Sequence, residues 1–128
     1  RKFHQAKVSN TSEVTIWGTG TPLREFLHVD DLASAVEFLL NHYDQPETIN
    51  VGSGDEVSIS ELAALIAEVV GFEGSIAHDL SQPDGTPRKM LDSGKLHDLG
   101  WTPAWNLRDG IADAYAWFVE HHDSLRSV

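Results

Sequence analysis

Residues 13–31, EVTIWGTGTPLREFLHVDD, decide how this chain is to be read. EVTIW over Glu13–Trp17 alternates polar and apolar side chains, the period of a half-buried strand, and stops at Gly18. GTGTP then crowds small residues and a proline into a turn. A second apolar stretch, Phe26, Leu27, His28 and Val29, follows. Asp30 or Asp31 then stands where a helix cap is expected, before Leu32, Ala35, Val36, Leu39 and Leu40 at helical spacing; the pattern predicts an end near Asn41 and His42.

Working outward, Thr48, Ile49, Asn50 and Val51 before Gly52-Ser53-Gly54 read as a short strand entering a glycine turn. Ser58 and Glu61 have capping-box spacing, Val57 and Leu62 that of a hydrophobic staple. Leu62, Leu65, Ile66 and Val69 are the expected buried face, and Gly71 the left-handed closing residue. A strand is expected from Ser75 to His78, then an irregular loop, SQPDGTPR, over 81–88. Asp92 is placed to cap a brief helix containing Leu96 and Leu99, stopped by Gly100. Asn106 starts a last helix with Leu107, Ile111, Ala114, Tyr115 and Phe118 on one face, and a polar, fraying end is expected from His121 onward. The pattern is mixed α/β: helices with short strands.

Composition bounds the function. With 128 residues and 41% hydrophobic content, one domain over 1–128 is expected. Twenty acidic against nine basic residues give a net charge of −11, a field that repels polyanions, so nucleic acid is not expected as a partner. No apolar run approaches the roughly 20 residues of a membrane span, and no signal-peptide pattern is found. The absence of cysteine rules out disulfides, thiolate metal sites and a cysteine nucleophile within these residues. A cytoplasmic location is the default expectation. The first residue is Arg1 rather than Met, and the chain is expected to be a fragment of a longer protein.

Against an acidic background the few cations are informative. Trp17 offers a stacking surface and Arg24 a planar fork suited to phosphate oxygens. The competing account makes Trp17 a core filler and pairs Arg24 with Glu25 or an aspartate. In residues 83–89, PDGTPRK, Asp84 is a candidate acceptor for ribose hydroxyls or a guanine edge, and Lys89 a point charge for a pyrophosphate; a solvated loop with an Asx turn at Asp84 is the alternative. FLHVDDL has a histidine beside two carboxylates but no nucleophile near it, and Asp30 and Asp31 are assigned to structure. The glycines are too few and wrongly spaced for a dinucleotide fingerprint, and the scattered histidines do not form a metal motif.

Together WGTGTPLREFLHVDD (17–31), INVGSG (49–54), PDGTPRK (83–89) with Leu91-Asp92, and Leu99-Gly100-Trp101 resemble the GDP-L-fucose synthases, a family of the extended short-chain dehydrogenase/reductase superfamily, the NAD-dependent epimerases/dehydratases. The resemblance covers nearly the whole chain. It implies the small C-terminal substrate domain of an enzyme that converts GDP-4-keto-6-deoxy-D-mannose to GDP-L-fucose by 3,5-epimerisation and NADPH-dependent 4-reduction. It further implies substrate contacts at Lys2, Trp17, Arg24, Asp84 and Lys89, a homodimer, and NADP(H) bound mainly outside this chain. The N-terminal Rossmann domain, the Ser and Tyr-x-x-x-Lys set and the Cys/His pair of that family are not found: Tyr43 and Tyr115 lack the lysine spacing. The resemblance therefore implies no catalytic residue here, no turnover by this polypeptide alone, and an orphaned strand edge near Asn50, Val51 and Gly52. A UDP- or dTDP-sugar epimerase or reductase shares the Arg-x-Phe-x-His-Val-Asp-Asp element, and a non-catalytic nucleotide-binding or assembly module is the reading from another class.

Overall fold

A computed structural model describes residues 1–122. Strand β1 (Glu13–Trp17) buries Val14 and exposes Glu13, Thr15 and Trp17, as its alternation requires. It pairs in parallel with β4 (Ser75–Asp79), in register from Glu13 opposite Ser75 to Trp17 opposite Asp79. A parallel pair needs a long crossover. Here the crossover contains β2 (Leu23–Glu25), α2 (Val29–His42), β3 (Glu56–Ser58) and α3 (Ile59–Val70).

Helices α1 (Lys2–Val8) and α3 close over the β1–β4 pair. Phe3, Ala6, Val14, Ala63, Ala67, Val70 and Phe72 form this core, with Phe3 and Phe72 edge to face at 5.6 Å. Sequence periodicity placed Leu62, Leu65, Ile66 and Val69 on the buried face of α3, but all four are half-buried and Ala63, Ala67 and Val70 are buried instead. The small alanines pack within the core, while Leu62 and Ile66 line a cleft against α5 (Leu107–His121), Ile66 also packing on the core. The ends of α3 follow the sequence: Ser58 Oγ accepts from the Glu61 amide at 3.1 Å, Glu61 Oε2 accepts from the Ser58 amide at 2.9 Å, and Gly71 adopts φ 72°. The α5 cap also follows it, with Asn106 Oδ1 accepting from the Asp109 amide at 2.9 Å. α5 is regular through His121; the rest of the expected frayed end, 123–128, lies outside the described residues.

A second core joins Ala35, Leu96 and Trp101, with Leu27, Phe38, Leu39, Ile49 and Val51 packed on it. Here several expectations are corrected. No strand forms at 48–51, so the expected strand edge is absent; the apolar alternation there is satisfied by packing Ile49 and Val51, and Asn50 Nδ2 donates to Asp92 O at 3.0 Å. The cap of α2 is His28, whose Nδ1 accepts from the Asp30 amide at 3.3 Å. Asp31 sits inside the first turn, 3% exposed, and its carboxylate accepts from the amides of Ala104 (2.8 Å) and Trp105 (3.1 Å). The brief helix α4 (Gly94–Asp98) begins after Ser93, while Asp92 Oδ1 accepts from the Gly94 amide at 3.1 Å.

The three-stranded sheet that β2 forms with β3 on one side and β5 (Arg88–Lys89) on the other was not expected. β5 is parallel to β2, and β3 is antiparallel to it. Strands of two and three residues are too short to show alternation. They hold the loops around the candidate site.

Candidate functional site

Because β1 and β4 run in parallel, their chains leave on the same side at Trp17 and Asp79, the place where open α/β sheets receive ligands. The Gly18 amide donates to Asp79 O at 2.9 Å, and the Asp79 carboxylate accepts from the Ser81 hydroxyl and amide, which lowers its pKa from the ordinary value. Gly18 and Gly20 have φ 70° and 75°, where side chains are disfavoured. A Cβ at Gly18 would collide with Asp84 Oδ1, and one at Gly20 with Ser60 Oγ. The 18–21 turn is thus pressed between the 82–85 loop and the start of α3.

Trp17, Arg24, Gln82, Pro83, Asp84 and Gly85 help line a cavity of about 430 Å³ at this junction. Trp17 is 69% exposed, which excludes the core-filling account. Lys2 Nζ lies 5.8 Å from the Trp17 ring centre and donates to Thr15 O at 3.4 Å. Arg24 is fixed by carbonyls, its Nη1 donating to Leu23 O (2.6 Å) and Thr86 O (2.8 Å), not by an acid. Glu25 instead accepts from the amides of Gly54 (2.8 Å) and Leu91 (3.2 Å). Asp84 accepts from the Thr19 amide (2.8 Å) and hydroxyl (2.7 Å). Lys89 is the register partner of Arg24 on β5, exposed, and outside the cavity lining. The structure therefore gathers Trp17, Arg24 and Asp84 on one cavity, sets Lys2 over Trp17, and leaves Lys89 one strand away.

Charge distinguishes these cations from their neighbours. Arg88 pairs with Glu56 at 2.8 Å and Arg108 with Glu68 at 2.8 Å; the guanidinium pKa of each is raised by its glutamate. Among the described residues, Lys2, Arg24 and Lys89 form no ion pair. In a chain of net charge −11, these three carry positive charge that no carboxylate contact neutralises.

His28, the residue in FLHVDDL that most invites a catalytic reading, is packed on Trp105 with ring centres 4.4 Å apart, and its Nε2 lies 3.3 Å from Asp113 Oδ2. Its partners are those of a buried structural histidine. Among the described residues no group of three His, Cys, Asp or Glu is arranged to hold a metal. Thr19 and Glu25, which fasten the loops of the site, were missed from sequence. Their partners are 65 residues away (Asp84) and 29 and 66 residues away (Gly54, Leu91), and neither carries a local signal of the kind Ser58 carries.

The family model described as "NAD dependent epimerase/dehydratase family" matches residues 1–52. The chain is similar to GDP-L-fucose synthases: it is 59% identical over 121 residues to the probable GDP-L-fucose synthase 1 of Oryza sativa subsp. japonica, covering 94% of this chain and 37% of that protein. A GDP-L-fucose synthetase structure from Naegleria fowleri superposes with TM-score 0.90 at 28% identity, over 98% of this chain and 39% of the other. A GDP-mannoheptose C4 reductase from Campylobacter jejuni, solved with NADP bound, superposes with TM-score 0.82 at 36% identity, over 93% and 42%. The chain spans less than half the length of each of these relatives.

Proposed function

We propose that this chain is the GDP-sugar-binding part of an enzyme of the GDP-L-fucose synthase type. In this reading the whole enzyme converts GDP-4-keto-6-deoxy-D-mannose to GDP-L-fucose by 3,5-epimerisation and NADPH-dependent 4-reduction, and residues 1–128 form its substrate domain. The single observation that carries the reading is the meeting of Trp17, Arg24 and Asp84 on one cavity, with Lys2 over the indole and no acid neutralising either cation. A cavity of about 430 Å³ falls within the usual range for small-molecule sites.

In the proposed complex the Trp17 ring forms a flat wall for the base or a sugar face. Arg24, already anchored on two carbonyls, directs its remaining N–H groups to the diphosphate with little entropy left to lose. Lys2 and Lys89 add point charges from either side, and Asp84 closes the lip. The relatives named above support guanosine diphosphate as the carrier, since both named activities are on GDP sugars while the sugars differ.

The glycines of this chain are too few and wrongly spaced for a dinucleotide fingerprint. NADP(H), which supplies the hydride for the 4-reduction, is accordingly assigned mainly to residues outside this chain, and the polypeptide alone is proposed to turn over no substrate. A homodimer is proposed for the whole enzyme, with no nucleic acid or membrane partner. No helix among the described residues is long and apolar enough to cross a membrane.

The test is a calorimetric competition between GDP and UDP on the intact protein that carries this chain. Saturable GDP binding that UDP displaces poorly, and that Arg24→Ala weakens at least tenfold, is expected, since a charge-assisted hydrogen bond contributes about 1.5 to 3 kcal/mol. Equal affinity for both nucleotides would remove the guanine assignment; unchanged affinity in Arg24→Ala would remove the pocket.

A further inference from the structure

We propose that Thr19 is a positioning residue for the nucleotide pocket, acting through Asp84; this rests on the GDP-sugar reading of that pocket. Thr19 grips both oxygens of one carboxylate: its amide donates to Asp84 Oδ1 at 2.8 Å and its hydroxyl to Oδ2 at 2.7 Å. The hydroxyl has one proton, and that proton is spent on Asp84. The Thr21 amide (3.2 Å) and the Thr21 hydroxyl (2.7 Å) therefore act as donors to Thr19 Oγ1, which orients its proton toward the carboxylate.

Thr19 is itself held from behind. The Gly20 carbonyl accepts from the Ser60 amide in the first turn of α3 at 2.9 Å, and the Gly18 carbonyl meets His78 Nδ1 of β4 at 3.2 Å. A continuous line of bonds thus runs from α3 and β4 through the 18–21 turn to the 82–85 loop. The same loop has a second anchor, from Arg24 Nη1 to Thr86 O at 2.8 Å. Asp84 and Thr86 are two residues apart, so the loop is held at two points facing Trp17. One anchor is a proposed ligand-binding cation, whose remaining N–H groups are directed to the diphosphate. The other, Thr19, lies outside the cavity lining and keeps the lip in place while Arg24 works.

The consequence is specific. Removing the Thr19 hydroxyl releases one Asp84 oxygen and leaves the Arg24 anchor, so the lip loosens without loss of any ligand contact by Thr19. Binding of substrate and transition state then suffer equally, which raises KM and leaves kcat unchanged.

The experiment uses the intact protein with Thr19→Val, Thr19→Ser and Thr21→Val. GDP affinity is measured by calorimetry, and amide exchange over 82–86 is followed without ligand. Thr19→Val is expected to weaken GDP about tenfold, to speed exchange at 82–86 and to raise KM at constant kcat. Thr19→Ser restores affinity to within about twofold because it keeps the proton, and Thr21→Val stays near the unaltered protein. Should Thr19→Val lower stability as a whole, the Ser and Thr21 variants carry the test: a loss in Thr19→Ser as large as in Thr19→Val, or the same loss in Thr21→Val, overturns the role. Equal GDP affinity for Thr19→Val and the unaltered protein also overturns it. If the unaltered protein fails to bind GDP, the pocket reading itself falls and this inference with it, an outcome visible before any variant is made.

Discussion

Asp31 and Asp84 use the same chemistry in opposite surroundings. Each carboxylate takes two donors from a segment more than sixty residues away in sequence: Asp31 the amides of Ala104 and Trp105, Asp84 the amide and hydroxyl of Thr19. Asp31 is 3% exposed, beside the second core; Asp84 is exposed, at the rim of the cavity. A donor orphaned in the interior keeps its full desolvation cost, whereas a donor orphaned at the rim is taken up by water. The two aspartates should therefore fail in different ways, one by loss of fold and the other by loss of site shape.

The widest separation is expected from replacing each by alanine. Asp31→Ala should lose about 3 kcal/mol in denaturant unfolding, with little change in GDP affinity per folded molecule. Asp84→Ala should lose about 0.5 kcal/mol of stability and about tenfold in GDP affinity. Similar stability losses would break the comparison. Gly20→Ala tests how firmly the turn under Thr19 is held, since Gly18 and Gly20 are buried on either side of it. Its positive φ and the crowding by Ser60 and His78 predict a loss of about 2 kcal/mol in the same assay. Ser58→Ala, which removes the α3 cap, should lose about 1 kcal/mol and leave GDP affinity within about twofold; a larger affinity loss would mean that α3 supports the 18–21 turn more tightly than the Ser60 to Gly20 bond implies.

The smallest effect is the pH response of His4. Its pKa is lowered from the ordinary value by burial first and then by the nearby His122, so the unfolded chain binds the proton more readily than the folded one. The stability contributed by neutral His4 is complete above about pH 6.5 and is lost as the pH falls below it toward the folded value. Thermal midpoints between pH 8 and pH 5 should fall less steeply for His4→Asn than for the unaltered protein. Identical slopes would show that His4 does not titrate differently in the two states.

The contrast also explains what was legible in the sequence. Elements announced by neighbours were read correctly: the Ser58–Glu61 box, Gly71, the Asn106 cap and the β1 alternation all signal within a few residues. Trp17, Arg24 and Asp84 were legible as candidates from their own chemistry at loops rich in glycine and proline, and their assignment as substrate contacts came from the resemblance. Features defined by distant partners were not legible. Asp31 looked like a cap and is an anchor for the 104–105 segment; Thr19 and Glu25 looked like ordinary loop and strand residues; β2, β3 and β5 are too short to carry a period. The 48–51 segment misled for the opposite reason, since packing on Leu96 and Trp101 produces the same alternation as strand pairing.

The central claim is that a guanosine diphosphate sits where the 18–24 turn and strand meet the 82–87 loop. Amide exchange of the intact protein with and without saturating GDP tests it most directly. The account predicts added protection concentrated at 17–24 and 82–89. Protection confined instead to the cleft lined by Leu62, Ile66, Leu107 and Ile111, or no protection at either place, would contradict it.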